Sequence, residues 1–131
     1  PITLTRLWCI FELYVCAKTG SSFDVAMPKD LRELFLQSIR EDHRAFYQTI
    51  CNVRTRECKA GRKDDTDGIG KVITFAAGGY GNVDLMVAEK LKEWFVRVLK
   101  EQVEGSSDAL ERAAFMHALG VVYQQQAKHA D

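Results

Sequence analysis

The stretch from residue 4 to residue 13 constrains the fold more than any other part of the chain. Its sequence is LTRLWCIFEL, and with the residues after it the stretch places apolar side chains three and four positions apart, which is the spacing of one buried helix face. The residues of this predicted face are Leu4, Leu7, Trp8, Phe11 and Val15. Further apolar residues extend this surface around most of the cylinder, so we expect the helix to pack on more than one side. A single carboxylate, Glu12, lies within it. A buried carboxylate is costly unless it is paired or functional, so Glu12 is the candidate for chemistry.

The composition fits one globular domain, or one domain with a piece of the next. The chain has 131 residues, with 18 Lys plus Arg and 18 Asp plus Glu, so no net charge favours nucleic acid or an anionic membrane as a partner. The longest apolar run, residues 7–17, is interrupted by Glu12 and is too short to span a bilayer. Because the chain begins at Pro1, almost at this helix, we expect it to be part of a longer protein.

The cysteines are predicted to be small buried thiols in a reducing cytosol. Cys9 and Cys16 lie two turns apart on one helix, roughly 10 Å, which is too far for a disulfide. Cys51 and Cys58 complete the set, and no C-x-x-C pair occurs, so the sequence does not favour a zinc site. We therefore expect a cytoplasmic protein with no bound metal.

Hydrophobic periodicity predicts helices and one short strand. The strand is residues 23–27, where apolar and polar residues alternate until Pro28. A second helix follows, and it either continues through the charged residues 41–44 or restarts there after a kink. Its predicted buried stripe is Leu31, Leu34, Phe35 and Ile39.

Three further helices are predicted beyond residue 63. Residues 71–75 are rich in β-branched side chains and fit a strand as well, but we favour a short helix that ends at Gly78-Gly79. Asn82 is predicted to cap the longest amphipathic helix, whose core includes Trp94 and Phe95. Asp108, with Glu111 three residues later, predicts the start of the last helix, which runs to about residue 127.

Several segments suggest ligand loops but lack a residue that the chemistry requires. Residues 64–68 suggest a calcium loop, but Thr74 stands where the bidentate Glu belongs. Gly70-Lys71 suggests a phosphate loop, but a valine follows the lysine. Residues 78–81 suggest a dinucleotide loop, but Asp84 replaces the third glycine and would repel an anion. The histidines are scattered, and His43, in a charged stretch, is predicted to be solvated.

Two motifs resemble known families. Trp8-Cys9-Ile10-Phe11-Glu12-Leu13, preceded by LTR, resembles the W-C-x-x-E-L box of Toll/interleukin-1 receptor (TIR) domains. More specifically, it resembles the TIR-like domains that precede tetratricopeptide or kinesin-light-chain-like repeats. The order of the following elements agrees, as do Gly78-Gly79-Tyr80 and the tryptophan of LKEW in the long helix. Near the end of the chain, Leu119-Gly120-x-x-Tyr123 resembles the L-G-x-x-Y core of the first helix of a tetratricopeptide repeat.

These resemblances imply a fold class and an organisation. The fold would be α/β but strongly helix-rich, the carboxy-terminal part of a flavodoxin-like TIR-type domain joined to repeat helices. Residues 1–62 would be the TIR-like part, 63–107 the linking helices, and 108–131 the first repeat helix. The expected core includes Trp8, Phe11, Trp94 and Phe95.

The resemblances also imply two functions. The leading prediction is a cytosolic signalling or scaffold module that contacts protein partners through Leu119, Gly120 and Tyr123. Self-association is a further expectation, and neither nucleic acid nor membrane is an expected partner. The second prediction is NAD glycohydrolase activity in the full-length parent, with Glu12 as the catalytic acid that stabilises an oxocarbenium ion. NAD would then be a substrate, and this part of the protein would hold no cofactor. Two features count against this activity: the chain lacks the first strands expected of a TIR domain, and the bulky Phe11 lies beside the acid.

Overall fold

The periodic apolar spacing of the sequence produces helices along most of the chain. A computed structural model describes residues 6–58 and 60–129, without the side chains of Trp8 and His129. This part of the chain contains no β-strand, only an isolated bridge residue at Arg6, and a short 3-10 turn covers Thr55–Glu57. The helices are α1 (Leu7–Lys18), α2 (Lys29–Cys51), α3 (Lys63–Phe75), α4 (Tyr80–Gly105) and α5 (Ala109–His129). Among the described residues, no helix has the length and apolar character needed to cross a membrane.

The chain divides into two compact units. Unit 1 comprises Pro1–Phe23 and Cys51–Leu91, and unit 2 comprises Asp24–Ile50 and Lys92–Asp131. Each unit combines two separate stretches of chain, and α4 contributes residues to both. The sequence-based division into consecutive segments 1–62, 63–107 and 108–131 stays a prediction.

Unit 1 is built on the packing of α1 against α3. The buried side chains of this unit share the three-and-four spacing of a helix face on each of its helices. On α1 and α3 they are Leu7, Ile10, Leu13, Tyr14, Ile69 and Ile73, and on the first part of α4 they are Val83, Val87, Ala88 and Leu91. The buried face of α1 is therefore rotated from the predicted one, since Phe11 is half-buried and Val15 is exposed. The predictions for Leu4 and for the Trp8 side chain fall outside the described residues.

Unit 2 has an aromatic core. Trp94 and Phe95 of α4 are buried, as predicted, and they meet two phenylalanines of α2. The ring of Phe35 stacks on Trp94 with 5.6 Å between centroids, and the ring of Phe46 lies 4.9 Å from that of Phe95. Such pairs add about 1 kcal/mol beyond the area they bury. From α5, Phe115, Ala118 and Val122 complete this core.

The predicted strand at residues 23–27 is wrong. These residues form an irregular connection between α1 and α2, and no other strand lies in the described chain to pair with them. A strand needs a partner for its backbone groups, so five alternating residues do not suffice. The segment instead supplies Asp24, whose Oδ1 accepts a hydrogen bond from Trp94 Nε1 at 3.2 Å. The α/β part of the predicted fold class therefore has no counterpart here, whereas the helix-rich part is confirmed.

Of the two alternatives for residues 41–44, the structure shows the kink. Asp42 has φ −152° and ψ 72° inside α2, and its Oδ1 accepts a hydrogen bond from the Ala45 backbone N–H at 3.1 Å. The carboxylate therefore caps the second half of the helix. The predicted buried stripe of the first half is only partly right. Ile39 is buried and Phe35 half-buried, but Leu31 and Leu34 are 56% and 63% exposed.

The chain between α3 and α4 turns as the glycines predict. Residues 71–75 are helical, so the favoured assignment is confirmed, and Gly78 and Gly79 follow with φ 79° and 92°, which suits glycine alone. The capping role predicted for Asn82 is wrong. α4 already begins at Tyr80, and the Asn82 side-chain amide instead donates to the Ala77 carbonyl at 2.8 Å.

Candidate functional site

Helix α5 has two apolar faces. One face belongs to the core of unit 2 through Phe115, Ala118 and Val122. Asp108 fixes the start of the helix, because its carboxylate accepts hydrogen bonds from the backbone N–H groups of Leu110 and Glu111 at 2.8 and 3.3 Å. The opposite side carries a second row of apolar and small residues, all of them exposed, which we call the α5 outer face. Its members are Ala109, Ala113, Met116, Gly120, Tyr123 and Ala127.

The α5 outer face has the spacing of a helix-pairing surface. Its residues alternate four and three positions apart, as in the seam of a coiled coil. Met116 is 55% exposed and Tyr123 is 43% exposed, so both offer apolar area. A Cβ built on Gly120 meets no atom within 4 Å outside its own helix backbone, so the space beside it is open.

The predicted contact residues lie on or beside this face. Gly120 and Tyr123 belong to it, and Leu119 is half-buried. Lys100 places its Nζ 5.8 Å from the centre of the Tyr123 ring, close enough for a weak cation–π interaction. Met116 was not among the predicted contact residues, although the alternating spacing that includes it is visible in the sequence.

Glu12 occupies an exposed position on α1. Its neighbour Phe11 lines a cavity, whereas Glu12 is not one of the residues that line it. The catalytic role of Glu12 stays a prediction.

A groove runs between α1 and α3 in unit 1. Its cavity has a volume of about 250 Å³. The residues that line it are Phe11, Asp64, Asp65, Gly68, Ile69 and Val72, and we call this surface the α1–α3 groove. It is apolar except for the two aspartates at the start of α3. The sequence did not identify it, because a groove depends on how two helices pack.

A polar cluster in unit 1 explains Asp84. Thr55 is completely buried, and both its backbone N–H (2.7 Å) and its hydroxyl donate to Asp84 Oδ1. Burial raises the pKa of the Cys58 thiol, and the carboxylates of Asp84 and Glu57 raise it further. Cys58 is therefore a protonated thiol and a poor nucleophile. The cluster holds the 3-10 turn against α4 rather than forming a reactive site.

All four cysteines are free thiols, but only Cys58 is buried. Cys51 is exposed, and the other two are half-buried, so the prediction of buried thiols is right for one of the four. In the described chain, no three His, Cys, Asp or Glu side chains come together as a metal site would require.

His43 is not solvated as predicted. It is half-buried in unit 2, its ring lies 5.4 Å from that of His117 on α5, and its Nε2 is buried without a hydrogen-bond partner among the described residues. Burial lowers the pKa of His43, and the nearby His117 and Arg44 lower it further, against an opposing effect of Asp42. A neutral His43 therefore suits the contact between α2 and α5.

No protein-family model, curated protein or solved structure matches the chain significantly. The similarity to TIR-like domains and to tetratricopeptide repeats therefore rests on the sequence motifs alone.

Proposed function

We propose that this chain is a signalling or scaffold module that acts through protein contacts, with the α5 outer face as its contact surface. The observation that supports this most directly is the second apolar face of a helix whose first face is already buried. Most exposed helix faces are polar, so a helix that is apolar on both sides indicates a missing neighbour.

The partner of the α5 outer face is an α-helix in this proposal. Alternating four-and-three spacing matches the grooves of a second helix rather than a flat sheet. Gly120 has no side chain to hold the partner away. Covering Met116 and Tyr123 stabilises the complex by about 25 cal/mol for each Å² of apolar surface removed from water. Tyrosine also suits an interface because its ring is large and rigid.

The sequence motifs support the same function. We propose that residues 108–131 are the first helix of a tetratricopeptide-like repeat, and that residues 1–62 are the carboxy-terminal part of a TIR-like domain. One helix of a repeat cannot bury its own face, so a neighbouring helix would cover the α5 outer face. In this proposal the β-sheet expected of a TIR-like domain lies outside the part of the chain that the structure describes.

A capture experiment with matched variants tests the proposed function. The tagged chain, a Tyr123→Glu variant and a Gln124→Glu variant are incubated with cell extract, and captured proteins are quantified by mass spectrometry. Gln124 is exposed but lies off the α5 outer face, so its variant controls for the added charge. We expect Tyr123→Glu to lose about 90% of the captured partner, as for a central aromatic contact, and Gln124→Glu to retain it.

Two outcomes would reject parts of this proposal. If all three forms recover the same proteins equally, the α5 outer face is not the contact surface. If the unmodified chain recovers no specific protein, the scaffold function itself is rejected. Circular dichroism of each variant establishes that the helices are retained.

A further inference from the structure

The α1–α3 groove combines an apolar lining with charge of one sign. Phe11, Ile69 and Val72 supply the apolar part, and Gly68 leaves room for a close approach because a Cβ built there meets nothing within 4 Å outside its own helix backbone. The charged lining residues are Asp64 and Asp65. Neither aspartate forms an ion pair with any described residue, so both carboxylates are available to a partner.

The apolar surface of the groove continues along α3 beyond the cavity. Asp65, Gly68, Val72 and Phe75 are spaced three, four and three residues apart, so they share one face of the helix. Phe75 is 85% exposed, and Val15 on α1 is exposed as well. Exposed apolar residues that share a face with a cavity mark a docking surface more strongly than scattered ones do.

Asp64 and Asp65 also have a role within the chain. Acidic residues in the first turn of a helix offset the positive end of its dipole. Asp67 lies just after this turn and does not line the groove, so its variant controls for the loss of an acidic residue near the start of α3.

We propose that the α1–α3 groove binds an amphipathic helix of another protein, one that carries Lys or Arg at the end facing Asp64 and Asp65. Along the rest of the partner helix, apolar residues three and four positions apart cover Val72 and Phe75. The choice of partner rests on charge complementarity, because the groove presents acidic side chains and no basic ones. Helix-in-groove binding is an established mode of peptide recognition. This surface is separate from the α5 outer face and goes beyond the function proposed above.

Synthetic peptides test the proposal directly. Two fluorescein-labelled amphipathic helices share one leucine face; the first has lysines in its last turn and the second has glutamates there. Fluorescence anisotropy measures their affinity for the full chain at low salt. We expect the lysine peptide to bind at least about fivefold more tightly than the glutamate peptide, because two exposed charge pairs each add only a small amount to the binding free energy. The preference should fall as salt is added.

Variants of the chain assign the binding to the groove. In the double variant Asp64→Asn and Asp65→Asn the two peptides should bind equally, whereas Asp67→Asn should keep the preference. Val72→Gln should weaken binding of both peptides, and Tyr123→Glu should leave both unchanged, which separates this proposal from the role of α5. Thermal unfolding of each variant establishes that it is folded.

Three results would overturn the proposal. The first is that neither peptide binds, and the second is that the preference for lysine survives in the double asparagine variant. The third is that the chain dimerises in sedimentation equilibrium and Val72→Gln abolishes the dimer, because the groove would then be occupied by a second copy of the chain.

Discussion

At the scale of single residues, Asp84 shows how a side chain acquires its role from the fold. In the sequence it stands where a dinucleotide loop would have glycine, and it counts against an anion site. In the structure it accepts two hydrogen bonds from the buried Thr55. Its partner Thr55 lies 29 residues away along the chain, so residue spacing in the sequence could not identify it.

We expect Asp84→Ala to lower the free energy of unfolding by about 3 kcal/mol, because it leaves a buried hydroxyl and a buried amide of Thr55 unpaired. Urea denaturation measures the change. Asp67→Ala removes an exposed carboxylate on α3 and should change the stability by less than about 0.5 kcal/mol. Equal losses for the two variants would contradict the role assigned to Asp84.

His43 gives the stability a pH dependence of known sign. Its pKa is lowered in the folded chain, chiefly by burial, from an ordinary value of 6.5. As the pH falls, the unfolded chain therefore binds a proton at His43 before the folded chain does. The stabilising contribution of neutral His43 is present above pH 6.5 and is lost as the pH falls through the lowered pKa. We expect His43→Gln to have a flatter profile of unfolding free energy between about pH 7 and pH 5. Parallel profiles for both proteins would show that His43 does not contribute.

At the scale of elements, local sequence signals predicted where the helices begin and end better than they predicted which helix faces are buried. Gly78 and Gly79 lie in the turn after α3, three and four residues beyond the end of the helix, close to where that end was predicted, and Asp108 starts α5 as predicted. These signals act within one turn of the chain, so the sequence is enough to read them. The exposure of Leu31 depends on whether another element covers it, and periodicity alone does not contain that information.

The break in α2 makes a prediction about Asp42. We expect Asp42→Ala to lower the free energy of unfolding by about 1 kcal/mol, because the Ala45 backbone N–H loses its side-chain acceptor. Asp42→Asn keeps a side-chain oxygen and should lose much less. The measurement is made at pH 8, where His43 is neutral in both variants. An equal loss in the two variants would show that the charge of Asp42, rather than its capping bond, is what matters.

Gly120 separates the stability of α5 from its proposed contact. A glycine within a helix costs about 1 kcal/mol relative to alanine, and Gly120 has open space beside it. We expect Gly120→Ala to raise the free energy of unfolding by about that amount while weakening capture of the partner, since a methyl group would hold the second helix away. Gln124→Ala should leave capture unchanged. A stabilised variant that captures its partner normally would remove Gly120 from the α5 outer face as a contact.

At the scale of the whole molecule, the apolar residues are distributed in a way that the sequence does not disclose. Phe75 and Phe95 both stand among apolar residues at helical spacing, but the first is 85% exposed and the second is completely buried. The core residues Trp94 and Phe95 were predicted correctly because a long amphipathic helix has one unambiguous apolar face. The two candidate surfaces were harder to find, since each depends on which apolar face is left uncovered after folding.

The same two phenylalanines provide a test at this scale. Phe95→Ala removes a ring that contacts Phe46 in the core of unit 2, and we expect a loss of about 3–5 kcal/mol in the free energy of unfolding. Phe75→Ala removes a ring that few atoms of the chain cover, so its stability should change by less than about 0.5 kcal/mol. Urea denaturation of both variants at one pH makes the comparison. If Phe75→Ala is as destabilising as Phe95→Ala, then Phe75 is buried in solution and the exposed extension of the α1–α3 groove does not exist. If it is neutral and also weakens binding of the lysine peptide, the exposed ring serves a partner rather than the fold.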